Sequence, residues 1–214
     1  NRSVLITGAS SGIGRACALH LSRQGFQVFA GVRSGQDADS LQEEAPGNIT
    51  PLLLDVTDAG SIKSAVERVS EATGGSLYGL INNAGVGLGG PLELLPDDKI
   101  GHLLKVNVLG AVAVTQAFLP LIRNNRGGRI IMISSISGRI ALPGFSVYAA
   151  SKFALEALSD ALRVELKPFN IAVVLIEPGN VATPIWEKSI ADNDVMMAQA
   201  DAAAKKLYAN LIQT

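Results

Sequence analysis

Cysteine is almost absent from this chain of 214 residues, and histidine is scarce. Cys17 alone cannot form an internal disulfide, and with only His20 and His102 beside it no zinc site can be assembled. No metal is expected. The opening residues carry no basic-then-apolar leader pattern, and a reducing, cytoplasmic location is expected. An excess of one charge is also missing: 18 basic residues stand against 19 acidic ones, a net charge of -1. That excludes the electrostatic footprint of a nucleic-acid binder. Charged residues make up 17% and hydrophobic ones 48%, which excludes disorder and supplies the core of one compact domain over residues 1–214. Long apolar runs are lacking as well. The longest uncharged stretch, Val106 to Ile122, is interrupted by Asn107, Gln116 and Pro120, so a buried helix or subunit interface is expected there rather than a membrane span.

What the chain does have is alternation. Val4-Leu5-Ile6 is a short apolar run stopped by Thr7-Gly8, the pattern of a strand buried on both faces. A helical period follows from about Ser11 to Gln24. Strands are expected at Gln27 to Val32, Ile49 to Asp55, Leu77 to Asn82, Arg129 to Ser134 and Ile171 to Ile176. Helices are expected after Asp58 (ending at Gly74-Gly75), from about Asp97 to Arg123 with weak points at Gly101 and Gly110, and from about Ser146 to Lys167. Strands alternating with helices imply right-handed crossovers and a parallel sheet. The expected fold class is therefore α/β: a single doubly wound, Rossmann-type domain with at least six parallel strands and helices on both faces, its ligands beyond the carboxyl ends of the strands. The chain starts on its first strand without a methionine and stops inside a helical pattern, Ala198 to Ile212. A longer native protein is expected.

Thr7-Gly8-Ala9-Ser10-Ser11-Gly12-Ile13-Gly14 joins the first strand to the first helix. Glycines here permit a sharp turn and let a phosphate approach the free N–H groups of a helix start. The spacing G-x-x-x-G-x-G departs from G-x-G-x-x-G, and alone it also fits a plain tight loop. Gly8-Ala9-Ser10-Ser11-Gly12 additionally matches G-x-S-x-G, the nucleophile elbow of the α/β-hydrolases. That reading needs His102 and one of Asp55, Asp97 or Asp98. It fits poorly, because the elbow follows several strands in that fold and His102 lies in a continuous helix.

Further features fall at strand ends. Asn82-Asn83-Ala84-Gly85 closes the fourth strand, Asn107 interrupts the long helix, and Ser134-Ser135 ends the fifth strand. Tyr148-Ala149-Ala150-Ser151-Lys152 begins the next helix, its tyrosine thirteen residues beyond Ser135. Taken together, from about Ser3 to Thr183, this order resembles the short-chain dehydrogenase/reductase family, and within it the hydroxysteroid, retinol and 3-hydroxybutyrate dehydrogenases. The C-terminal end departs from the family pattern, since no further sheet strand is readable there.

Tyr148 and Lys152, four residues apart, share one helix face. An ammonium about 4 Å from a phenol contributes roughly 4 kcal/mol to the phenolate at an effective dielectric near 20, enough to lower its pKa by ~3 units. A depressed tyrosine pKa is thus expected, as suits a general acid–base. The resemblance implies the other roles. Ser135 would bond the substrate oxygen, with Ser134 its competitor; Lys152 would grip the nicotinamide ribose; Asn107 would kink its helix and position a water for proton relay. The implied reaction is reversible oxidation of an alcohol to a ketone or aldehyde. A nucleotide-sensing protein without turnover is the alternative, and it would need a broken set of these residues.

For the cofactor, the acid that NAD enzymes carry after the second strand is replaced by Val32, and Arg33 follows. Arg33, with Ser11, would hold the 2′-phosphate of NADP. NAD remains the alternative, with Asp37 reaching the ribose. Further cofactor contacts are expected from Gly8, Ser10, Ser11, Gly12, Ile13 and Gly14, from Asp55 and Val56, and from Asn82, Ala84 and Gly85. The resemblance adds Pro178, Gly179, Val181 and Thr183 on the nicotinamide side. The loops Val86 to Leu92, Ile136 to Phe145 and Val181 to Ile190 offer Leu88, Ile140, Leu142, Phe145, Ile185 and Trp186, a lining that suits a mainly apolar small molecule. Lys188 and Arg139 are the cations available to a carboxylate substrate. A homodimer or homotetramer is implied by the resemblance.

Overall fold

The computed structural model describes residues 2–45, 47–185, 203, 204 and 206–208. Six strands form one sheet: β1 (Ser3–Ile6), β2 (Gln27–Val32), β3 (Ile49–Leu53), β4 (Gly79–Asn82), β5 (Gly128–Ile133) and β6 (Ile171–Ile176). Their order is β3-β2-β1-β4-β5-β6, and every neighbouring pair is parallel. The expected doubly wound architecture is therefore present. Successive side chains of β1 serve opposite layers: Val4 and Ile6 pack on one face, Leu5 on the other. This is why the central strands are apolar without alternation.

On the Leu5 face lie α3 (Ala59–Thr73), α4 (Asp97–Leu104), α5 (Ala111–Asn124) and α6 (Ser146–Glu165). On the Val4 face lie α1 (Gly12–Arg23) and α2 (Gly35–Glu44). Helix α2 is not among the elements expected from the sequence. Leu41 is its one buried residue, so the helix leaves hardly any apolar period in the sequence. Its readable mark is the cap, where Ser34 Oγ accepts the Asp37 N–H at 3.1 Å and donates to Asp37 Oδ2 at 2.7 Å. The third strand is also shorter than expected, ending at Leu53, and the fourth begins at Gly79.

The helical stretch 97–124 needs two corrections. It is one continuous rod of 28 residues, long and apolar enough by composition to cross a membrane, with half of its most apolar window buried. Val114, Phe118 and Ile122 are fully buried in the core against the sheet, so it serves as a core layer. Its middle, Lys105–Gly110, widens into a π turn. Gly110 lies there against Val56, and an added Cβ would stand 2.6 Å from Val56 Cγ2 and 3.2 Å from its carbonyl oxygen. The weak points read from the sequence therefore differ in kind, since a Cβ on Gly101 meets open space.

Gly110→Ala should lower stability by about 1–3 kcal/mol through overpacking, whereas Gly101→Ala should raise it by roughly 0.5–1 kcal/mol through helix propensity. Urea unfolding midpoints check both, and a Gly110→Ala protein as stable as wild type would contradict the packing of the π turn.

Candidate active site

β1 and β4 are neighbours whose connections leave for opposite faces of the sheet, which opens a crevice beyond their carboxyl ends. The crevice floor is stitched across these two strands. Thr7 Oγ1 accepts the N–H groups of Asn83 and Ala84, each at 3.0 Å, and Asn83 Nδ2 donates to the carbonyls of Thr7 and Gly8, each at 2.9 Å. Gly8 has φ +65°, and a Cβ there would come within 2.8 Å of Ala84 Cα. Gly14 is required by contact instead: a Cβ would meet Asn83 Nδ2 and the Gly8 carbonyl at 2.4 Å. Asn83, which has no role among the sequence-based expectations, thus ties the glycine turn to β4. Its signal in the sequence is the doubled asparagine at a strand end.

The crevice opens into a cavity of about 380 Å³, within the range of small-molecule sites. Gly8, Ser10, Ser11, Gly12 and Ile13 form one wall, followed by Arg33, Asp55 and Val56. Ala84 and Gly85 line the floor, and Pro178, Gly179, Val181 and Thr183 close the side beyond β6. Ser11 is the N-cap of α1 but its side chain makes no capping bond, so the first-turn N–H groups of this helix are left for a ligand anion. These features fit a dinucleotide: a glycine turn at close approach, a helix start and an arginine at one end. Two of the expected contacts, Gly14 and Asn82, do not line the cavity, and neither does Asn107, expected to position a water. Gly14 packs beneath the turn. Asn82 points into the core, bonding Thr115 Oγ1 at 2.9 Å and Met132 Sδ at 3.3 Å. Asn107 is 1% exposed and fully engaged: its Oδ1 accepts the Val86 N–H at 2.8 Å, and its Nδ2 donates to the Val86 carbonyl and Ser151 Oγ. It braces the loop after β4 from the π turn.

Ser135, Tyr148 and Lys152 meet at the other end of the cavity. Ser135 caps a short turn, accepting the Ser137 N–H at 3.1 Å, and its hydroxyl favours the ionised form of the Tyr148 phenol. Its competitor Ser134 instead donates to Glu156 Oε1 at 2.5 Å. Lys152 Nζ donates to the Ile133 carbonyl at 2.9 Å and lies 5.7 Å from the Tyr148 ring centroid. Burial pushes the Lys152 ammonium down to about 8, with Glu156 pulling the other way. The expected depression of Tyr148 is reversed. Burial pushes this phenol up, and the Ser135 hydroxyl offsets only part of that. The reason is desolvation, for Tyr148 is 4% exposed while the ammonium is turned toward Ile133.

Other residues settle the remaining expectations. The Thr57 N–H holds Asp55 below the usual carboxylate range, and the Thr57 hydroxyl, Arg33 and Lys105 act in the same direction. Asp58 caps α3 through the Ser61 N–H, as its position promised. Asp37, the alternative ribose partner, bonds Ser34 and does not line the cavity. His102 does line it, yet no hydrogen bond among the described residues links it to Ser10, Asp55, Asp97 or Asp98, so the hydrolase elbow finds no triad. Of the apolar loop residues, Leu88 and Ile185 line the cavity; Ile140, Leu142 and Phe145 do not. Trp186 and Lys188, like most of the helix expected over 198–212, lie outside the described residues. Arg139 turns away from the cavity to pair with Glu156 and Glu177, each at 3.0 Å, which removes it as a carboxylate anchor.

Lys152 binds its proton less tightly folded than unfolded, so between about pH 8 and the ordinary 10.5 the unfolded chain holds the extra proton and stability rises with pH. The difference in unfolding free energy between wild type and Lys152→Met should change by about 3 kcal/mol across that window, in favour of wild type at the alkaline end. Denaturant titrations on both proteins check it, and a flat difference would contradict the buried ammonium.

Comparison with known proteins places this geometry. The family model described as short chain dehydrogenase matches residues 2–194. The chain is 44% identical over 182 residues to the uncharacterised oxidoreductase YbbO of Escherichia coli K12, covering 85% of this chain and 66% of that protein. It is 42% identical over 207 residues to 17-beta-hydroxysteroid dehydrogenase type 1 of Homo sapiens, covering 92% and 62%. It therefore spans about two thirds of the length of these relatives, or less. Among solved structures, an alcohol dehydrogenase from the archaeon Thermococcus sibiricus, complexed with 5-hydroxy-NADP, superposes with a TM-score of 0.78 at 29% identity, covering 86% and 78% of the two chains. With its crevice between β1 and β4 and its matched length, the chain belongs to the short-chain dehydrogenase family.

Proposed function

We propose that this protein interconverts an alcohol and a ketone or aldehyde with NADP(H), using Ser135, Tyr148 and Lys152 as its acid–base set. The observation that carries the reading is the meeting of these three side chains in the same cavity as the glycine turn. Bound there, a nicotinamide dinucleotide supplies or accepts the hydride, chemistry that side chains lack. The protein positions and moves the proton. In the direction of carbonyl reduction, Ser135 donates a hydrogen bond to the substrate oxygen and Tyr148 passes its phenolic proton to it. A phenol held protonated by burial suits this step at neutral pH. The Lys152 ammonium, one turn on, stabilises the phenolate left behind and holds the ribose hydroxyls. Alcohol oxidation runs the same steps backward. Asn107 acts as a positioning residue, holding Val86 and with it the loop beside the reacting centre.

NADP is favoured over NAD because Arg33 lines the cavity while Val32 stands at the acidic position and Asp37 is turned to Ser34. The 5-hydroxy-NADP complexed with the similar archaeal alcohol dehydrogenase supports the same choice. A mainly apolar substrate is supported by Leu88, Ile185 and Leu103 in the lining and by the hydroxysteroid dehydrogenase among the relatives.

Tyr148→Phe should bind NADPH as wild type does and lose about 10²–10⁴-fold in turnover. Oxidation of NADPH by a panel of steroid, retinoid and aliphatic carbonyl compounds reads this, and a variant keeping most of its rate would remove the mechanism. Arg33→Ala should weaken NADPH by roughly ten- to a hundred-and-fifty-fold and leave NADH little changed, as expected for one charge-assisted contact. Paired fluorescence titrations check it; wild-type protein binding NADH as tightly as NADPH would overturn the preference.

A further inference from the structure

Glu156 is a carboxylate at 5% exposure inside α6, two turns beyond Tyr148 and one beyond Lys152. An uncompensated charge at such burial is costly, and its surroundings are built around it. Ser134 donates to Oε1 at 2.5 Å. Arg139 Nη2 lies 3.0 Å from Oε2 as an ion pair without hydrogen-bond alignment, so among the described residues Oε2 has no hydrogen-bond donor. Gly138 fits against the same side chain: a Cβ there would stand 2.9 Å from Glu156 Oε1 and 2.8 Å from Ser134 Oγ. Arg139 continues to Glu177 Oε1 at 3.0 Å, just after β6 and before Pro178-Gly179. A single buried carboxylate thus joins α6, the end of β5 that carries Ser135, and the segment leading into the cavity wall beyond β6.

We infer that Glu156 is a positioning residue of the acid–base set, its buried negative charge keeping Lys152 cationic while its bond to Ser134 fixes Ser135 beneath Tyr148. The inference rests on the proposed roles of Tyr148 and Lys152. Lys152 sits on α6 between Tyr148 and Glu156, with the Ile133 carbonyl, Ser134 and Ser135 facing it from the end of β5. Arg139, with Glu177 and Asp160 around it, bounds the far side of Glu156. Among the described residues the ammonium therefore feels one nearby negative charge, itself tempered by one arginine. Burial already drives Lys152 down to about 8, and Glu156 is the group opposing that. Without it the lysine would be largely neutral at physiological pH, and neither the phenolate nor the ribose would find a cation.

The test reads the lysine directly. In protein labelled with ¹³C at lysine Cε, the Lys152 resonance is assigned by its loss in Lys152→Met and titrated in wild type, Glu156→Gln and Arg139→Ala. Glu156→Gln keeps the shape and the bond from Ser134 but removes the charge, and should shift the Lys152 midpoint down by about one pH unit or more. Arg139→Ala removes a positive charge and should shift it up. A role in folding alone would not move the two variants in opposite directions. A midpoint unmoved or raised in Glu156→Gln, or unmoved or lowered in Arg139→Ala, overturns the inference. Arg139 is half exposed, so its variant keeps the test open if Glu156→Gln fails to fold. Turnover separates the two levels: an unmoved lysine midpoint removes only the role of Glu156, whereas full activity in Tyr148→Phe removes the reading on which that role rests.

Discussion

A lysine ammonium buried to 5% exposure is the constraint around which this site is organised. It donates to the Ile133 carbonyl, at the last residue of β5. Reaching that carbonyl fixes the rotation of α6, and the same rotation places Tyr148 one turn back at the cavity and Glu156 one turn on in the core. Burying a cation is unfavourable by several kcal/mol before compensation. The structure answers with a main-chain carbonyl and with a carboxylate that is itself held by Ser134. In the proposed reaction the tyrosine, buried with its pKa raised, is the proton donor, and the lysine, kept near its titration point, is the group that stabilises what remains.

The sheet supplies the other half of the arrangement. At β1 and β4, in the middle of the sheet, adjacent connections part, and there a long ligand can lie across the strand ends. Thr7 and Asn83 tie that parting together by hydrogen bonds, and at Gly8 and Gly14 the contacts are too close for any larger residue. Asn107 performs the same task one layer away, gripping both polar atoms of Val86 from a π turn whose close approach to Val56 depends on Gly110. Residues that touch no ligand therefore set where ligands can go.

Much of this is legible in the residues. The six strands are readable because their runs are mostly apolar, most fully in β1, β2 and β4, which are buried on both faces, and the thirteen-residue spacing from Ser135 to Tyr148 singles out the serine whose hydroxyl acts on that phenol. Elements stabilised by few apolar contacts are not: α2 buries Leu41 and otherwise shows only a serine cap. Contacts between distant segments are equally hidden. Asn107 is visible as an interruption, but its grip on Val86, 21 residues earlier, is not. Asn82 and Gly14 pass for ligand contacts because they stand beside residues that do line the cavity; the strand's alternation sends Asn82 to the core instead. The sign of the Tyr148 shift escapes the sequence for a physical reason, since charge–charge attraction can be estimated from spacing while desolvation depends on the packed surroundings.

The central claim is that the dinucleotide lies across the β1–β4 parting with its nicotinamide end between Lys152 and the segment after β6. A crystal structure with NADPH bound tests this most directly. The account predicts ribose hydroxyls within about 3 Å of Lys152 Nζ, with the reactive ring edge turned toward the Tyr148 hydroxyl and the adenosine end beside Arg33. A cofactor seated elsewhere, or one reversed so that its adenosine end meets Tyr148 and Lys152, would contradict it.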